Sequence, residues 1–237
     1  MTTTPSFDAD ASDAAERVRR AVYRRLATTG RAPERGELAA ELSLSDQAVD
    51  QAYDALAAAH HLVLDADGAI ILAHPFATRS FAFSVMGAQT LWWGGCAWDA
   101  FAIPHLVPDE PSALVATTCP ACASPLAWVV ERGAPPTGPG VAHFLVPAER
   151  IWDDVVHTCS NQRIFCDADC VETWLSRTGQ PAGSLFGLDT LWRLAAHWYE
   201  GRLDSPYQRR EPREARDYFR SVGLTGAFWG LPDEPPI

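Results

Sequence analysis

The chain reads as an α+β protein, and three observations carry that reading. Apolar residues recur at helical spacing through residues 14–60; short apolar runs bounded by turn residues follow from 61 to 146; helical spacing returns after residue 167. Runs of helices, then strands, then helices predict segregated α and β layers rather than an alternating βαβ arrangement.

Residues 1–13 are polar and read as a disordered tail. Ala14, Val18, Ala21, Val22 and Leu26 mark a first helix ending near Gly30, and a second helix spans about 33–42. Ser45 is placed to cap a third helix over 46–60, with Val49, Ala52, Tyr53 and Leu56 on one face. Two short strands, 61–64 and 69–72, flank the turn Asp65-Ala66-Asp67-Gly68. Three helices and a hairpin predict a winged-helix-like cap domain over 14–76. Its third helix, the one such folds lay against DNA, carries Asp46, Asp50 and Asp54 and no arginine. With a net charge of −11 on the whole chain, no nucleic-acid partner is expected.

A catalytic core is expected over 77–205, built on a mixed or antiparallel sheet with flanking helices. Strands are read at 81–85, 112–118, 126–131 and 143–146, a break at Pro104, a loop over 133–140, and helices at 167–178 and 188–200. Residues 206–237 read as a charged C-terminal helix near 212–222 and a proline-rich tail.

Composition excludes several chemistries. All 19 basic residues are arginine, so there is no lysine for a Schiff base or for a Walker A loop. No run approaches 18 uninterrupted apolar residues and the N-terminus has no apolar signal core, so no membrane association and a cytoplasmic location are expected. Thiols stay reduced there, which makes the six cysteines candidate metal ligands or nucleophiles.

Cys96 follows Gly94-Gly95 and opens a short helix over 96–102, where a helix N-terminus favours thiolate. Asp99, three residues on, shares its face. Thiolates select soft metals and a carboxyl can carry a proton, so Cys96, Asp99 and Cys159 together suit chemistry on a metal-bound group, although a Cys-x-x-Asp alone also fits ordinary core packing. Trp92, Trp93, Trp98 and Phe101 are available either to dry a pocket or to fill a core. His157 precedes Cys159 by two residues and either orders that sulfur or packs in the core; His60 and His61 read as helix-end residues, and His74, His105, His143 and His197 are too scattered to assign.

A winged-helix-like start, Leu-Ala-His-Pro-Phe at 72–76, Cys-x-x-Asp after an aromatic and glycine run, and a cysteine about sixty residues later together resemble the organomercurial (alkylmercury) lyase family. The resemblance covers about 14–200. It implies Cys96, Asp99 and Cys159 as catalytic residues, mercury held by Cys96 and Cys159, protonolysis of the carbon–mercury bond of R–Hg(II), and no organic cofactor. It also implies an organomercurial or other soft-metal substrate, with small free thiols or a mercuric reductase taking away Hg(II). The chain departs from the familiar pattern at Gly95, where an aromatic residue is usual, and in its four further cysteines.

Those four form a C-x-x-C (Cys119, Cys122) and a C-x-x-x-C (Cys166, Cys170) about 43 residues apart, the form of a four-thiolate zinc site, with Phe165-Cys166 entering a helix as in a treble clef. A structural zinc is expected, against a copper site, free thiols or a redox disulfide in C-x-x-C. Rival readings of the whole chain are a non-catalytic heavy-metal-binding protein or metallochaperone, a metal-responsive regulator, and an enzyme of this fold recruited to another reaction.

Overall fold

The computed structural model describes residues 7–232. The expected tail lies outside the described residues over 1–6, whereas helix α1 (Phe7–Thr29) already begins at Phe7. α2 (Arg35–Leu42) is closed by a capping box between Glu34 and Glu37, and α3 (Asp46–Ala58) is capped by Ser45, whose hydroxyl accepts from Ala48 N. Val49, Ala52, Tyr53 and Leu56 of α3 are buried, as their spacing predicts.

The hairpin β1 (Val63–Leu64) and β2 (Ile70–Ala73) does not end the sheet. β2 pairs with β3 (Phe76–Ala77), and β3 with β5 (Leu91–Gly94). With β4 (Phe83–Met86), β6 (Ser112–Thr118) and β7 (Pro125–Glu131), they form a seven-stranded antiparallel sheet of order β1-β2-β3-β5-β4-β6-β7. The sequence boundary near residue 76 therefore falls inside one sheet. A second sheet, β10-β8-β9, joins Ser184–Gly187, Val141–Phe144 and Gln162–Phe165.

Between them runs α4 (Ala97–Leu106), buried from Ala97 through Pro104 and packed against the large sheet, β9 and α7 (Leu188–Ala196). A helix apolar on every side has no face for solvent and must be interior. The expected break at Pro104 does not occur. The helix continues to Leu106, because a proline two residues from its end costs a single hydrogen bond while the surrounding core holds the turn. Gly94 lets α4 cross close over β5: a Cβ there would lie 2.8 Å from Ala100 Cα.

α5 (Val155–Ser160), α6 (Ala168–Thr178) and α8 (Pro212–Ser221) complete the described helices, and among described residues no helix is long and apolar enough to cross a membrane. The segment after α7 is tied back to the N-terminal helices. Buried Arg19 donates to Arg202 O at 2.6 Å, and Arg202 Nη1 donates to Tyr23 OH at 3.1 Å.

Candidate active site

α4 opens at Cys96, its N-cap, whose sulfur accepts from Asp99 N at 3.4 Å and donates to Asp99 Oδ2 at 3.2 Å. The three-residue spacing thus brings thiol and carboxyl into contact. The other Asp99 oxygen, Oδ1, accepts from Tyr199 OH at 2.5 Å. Asp99 is fully buried, so a helix that is apolar but for His105 near its end carries one carboxyl whose two oxygens are both met, by Cys96 and Tyr199.

Cys159 comes from α5, and its sulfur lies 3.2 Å from His74 Nε2. His74 Nε2 is also 3.9 Å from Asp99 Oδ2, so His74, Asp99 and Cys159 form one cluster that could hold a metal. Cys96, Asp99, Cys159, His74, Tyr199 and Arg202 line a single cavity of about 80 Å³. Arg202 Nη1 donates to His74 O at 2.8 Å and fixes the strand end that carries the imidazole.

Burial sets the ionisation of the site. It pushes the Asp99 carboxyl up to about 7, against the hydrogen bonds from Tyr199 and Cys96 and the charge of Arg202, which pull it down. Burial raises Cys96 well above the ordinary thiol range, reinforced by Cys159 and Asp99. At Cys159 the hydrogen bond with Cys96 lowers the value, but burial and the Asp99 charge together raise it. The helix N-terminus expected to favour a Cys96 thiolate is present, yet desolvation of a fully buried sulfur outweighs it. His74 is held down to about 3 by burial first and then by Arg202 and Arg209, so its imidazole is neutral.

Of the four aromatics considered from sequence, Trp98 lines the cavity. Trp92 Nε1 instead bonds to Leu26 O and Ala27 O, joining sheet to α1, and Phe101 packs against Trp128. Trp152, Trp198 and Tyr207 supply other walls. His157 is exposed, its ring against Asn161, and does not reach the site. His74, Tyr199 and Arg202 carry no local motif. Only the run Leu72–Phe76 contains one of them, His74.

Gly95 is where the chain departs from the familiar pattern. A Cβ here would lie 2.5 Å from Asp99 Oδ2 and 2.9 Å from Leu72 Cδ2, so the missing side chain is what lets the carboxyl lie against Cys96.

The remaining cysteines gather elsewhere. Cys119 and Cys122 sit on the β6–β7 turn, Cys166 and Cys170 where β9 meets α6, and the four sulfurs lie within 4.8 Å of one another. Cys122 Sγ is 3.6 Å from Cys166 Sγ and 4.0 Å from Cys170 Sγ. A tetrahedron with zinc–sulfur bonds of about 2.3 Å has edges of about 3.8 Å, so the donor set fits a four-thiolate ion. Cys159 is not among them.

Two buried thiols and a carboxyl that burial holds up to about 7 line one small cavity, a donor set whose chemistry suits a soft metal and a proton transfer. The alkylmercury lyase family model, MerB, matches residues 76–200, and the chain belongs to that family, whose members cleave the carbon–mercury bond. No curated protein matches the chain. Among solved structures, the crystal structure of the mercury-bound form of MerB2 has the same fold, with a TM-score of 0.62 at 15% identity over 81% of this chain and 92% of that one.

Proposed function

We propose that Cys96, Asp99 and Cys159 are the catalytic residues of this organomercurial lyase. The observation that carries this reading is Asp99, buried with one oxygen on the Cys96 thiol and the cavity shared with Cys159. A mercurial arrives as R–Hg–thiolate. One enzyme thiol exchanges with the carrier, passing its proton to the departing thiolate. The second thiol then binds mercury and gives its proton to the Asp99 carboxylate. Asp99 returns that proton to the carbon: the C–H bond forms from the electron pair of the breaking carbon–mercury bond, R–H leaves, and Hg(II) stays on Cys96 and Cys159. Exclusion of water by Trp98, Trp152 and Trp198 keeps the acid from being bypassed.

Cys119, Cys122, Cys166 and Cys170 are read as holding one structural zinc, which when bound supplies a closed four-thiolate shell joining the β6–β7 turn to α6. Arg177 already bridges the same parts, donating to Pro120 O and Ala121 O. The N-terminal helices and hairpin are read as a winged-helix-like cap without a DNA role. Small thiols or a mercuric reductase are the expected acceptors of Hg(II), in the cytoplasm.

The test is incubation of the protein with phenylmercury and excess thiol, with benzene followed by gas chromatography. Benzene from the wild type, and Hg(II)-binding but benzene-free Asp99→Asn, are expected; benzene formed at wild-type rates by Cys159→Ser sinks the assignment.

A further inference from the structure

Among the described residues, three arginines on the cavity form no ion pair, although the Arg202 charge acts on Asp99 from beyond ion-pair distance. Arg202 is 4% exposed, and its guanidinium lies 4.8 Å from the Tyr199 ring centroid and 4.9 Å from that of Tyr207. Its two Nη atoms are used by His74 O, Tyr23 OH and Tyr207 OH, all neutral, and its buried Nε has no partner at all. Arg209 stacks 4.5 Å over Trp152 and makes one long bond, 3.4 Å, to Ala59 O. Arg210 lies 4.7 Å over Tyr218 and donates to His197 O. All three line the same cavity as the thiols.

Among the described residues none of the three is in an ion pair, while Arg19, Arg25, Arg35, Arg150, Arg193 and Arg220 each pair with an acid. The chain has 30 acidic residues to 19 arginines, so acids were available. Asp99, the carboxyl of the cavity, already accepts from Tyr199 and Cys96. A buried cation left without an anion is unfavourable unless a ligand completes it. Guanidinium groups backed by aromatic faces and bonded only to neutral oxygens keep their charge for a planar carboxylate.

We propose that Arg202, Arg209 and Arg210 form a carboxylate-recognition wall, so that this enzyme prefers organomercurials presented with a carboxylate. The inference rests on the lyase reading of the cavity. Two sources present the same chemistry: a carboxylate on the organic group, or one on the thiol that carries R–Hg. Arg209 and Arg210, on the more exposed side, meet the anion first, and the wall orients the mercury toward the thiols.

The test uses charge-matched pairs with the full-length protein. 4-Carboxyphenylmercury is compared with 4-carbamoylphenylmercury, each delivered with mercaptoacetate or with mercaptoacetamide. A carboxylate is expected to raise kcat/KM roughly 10-fold. Preference following the aryl group assigns the anion to the substrate; preference following the thiol assigns it to the carrier; equal values in all four combinations overturn the proposal. Dissociation constants from tryptophan fluorescence decide the same ratio if no product forms, so failure of the lyase reading leaves this test standing. The ratio should collapse toward 1 in Arg209→Gln and Arg210→Gln, and wild-type preference should shrink with added salt should either variant fold poorly. A preference unchanged in both folded variants and by salt also overturns it.

Discussion

Asp99 is pulled in two directions, and the balance gives it a working value. Burial drives its carboxyl up to about 7, from about 4 in an unfolded chain, while Tyr199 and Cys96 moderate the rise. In the proposed mechanism Asp99 accepts a thiol proton before returning it to carbon, so kcat/KM should fall on the acid side of a limb near pH 7. Tyr199→Phe removes a bond that lowers the value, so the limb should move to higher pH; an unmoved limb in the pH–rate profile would show that Tyr199 does not tune the acid. The same shift sets a stability trend. A carboxyl raised in the folded state costs nothing below about pH 4 and destabilises increasingly as pH rises toward 7. Asp99→Asn should therefore gain stability relative to wild type between pH 4 and pH 8, by on the order of 4 kcal/mol at most, in denaturant titrations. Gly95→Ala places a methyl 2.5 Å from Asp99 Oδ2, so turnover should drop about 10-fold or more with the fold retained by circular dichroism. At this scale Cys96 and Asp99 were legible because helical spacing alone brings them together. His74 and Tyr199 were not, since each meets its partner across 85 or 100 residues of chain.

Elements were legible where one pattern dominates. α2, α3, β6, β7 and α6 lie close to their expected positions because capping residues, alternation and turn residues agree. β3 is two residues long and β5 ends in glycine, so neither had enough local signal to be read as a strand. The four-cysteine cluster was the reverse case: two short motifs at metal-ligand spacing forecast a meeting of the β6–β7 turn and α6. One zinc per chain is expected by elemental analysis, retained in Cys159→Ser. Because such an ion contributes on the order of 10 kcal/mol to folding, Cys166→Ser should lose zinc and accumulate as insoluble protein. Zinc lost with Cys159 but kept in Cys119→Ser would reverse the partition.

Over the whole molecule, the acidic balance and the long-range ties of the cap both concern whether the N-terminal segment acts by itself. α3 buries its apolar face and leaves three aspartates, one of them paired with Arg35, so contact with phosphate is unfavourable. Salt-dependent binding of duplex DNA at sub-micromolar concentration would contradict this. What the segment does instead follows from its contacts. β3 continues the sheet through β5, the strand that leads directly into Cys96; His74 stands against Cys159; Tyr23 holds Arg202, which in turn holds His74 O. Removing residues 1–76 would strip the edge from β5, expose the thiols and leave buried Arg202 without two of its partners. Residues 77–237 expressed alone should consequently aggregate or give no benzene from phenylmercury, and adding residues 1–76 as a separate chain should restore activity only to the extent that β3 pairs again with β5. A soluble 77–237 fragment with wild-type turnover would show that the site is complete without them, and that Tyr23 and His74 do not support it.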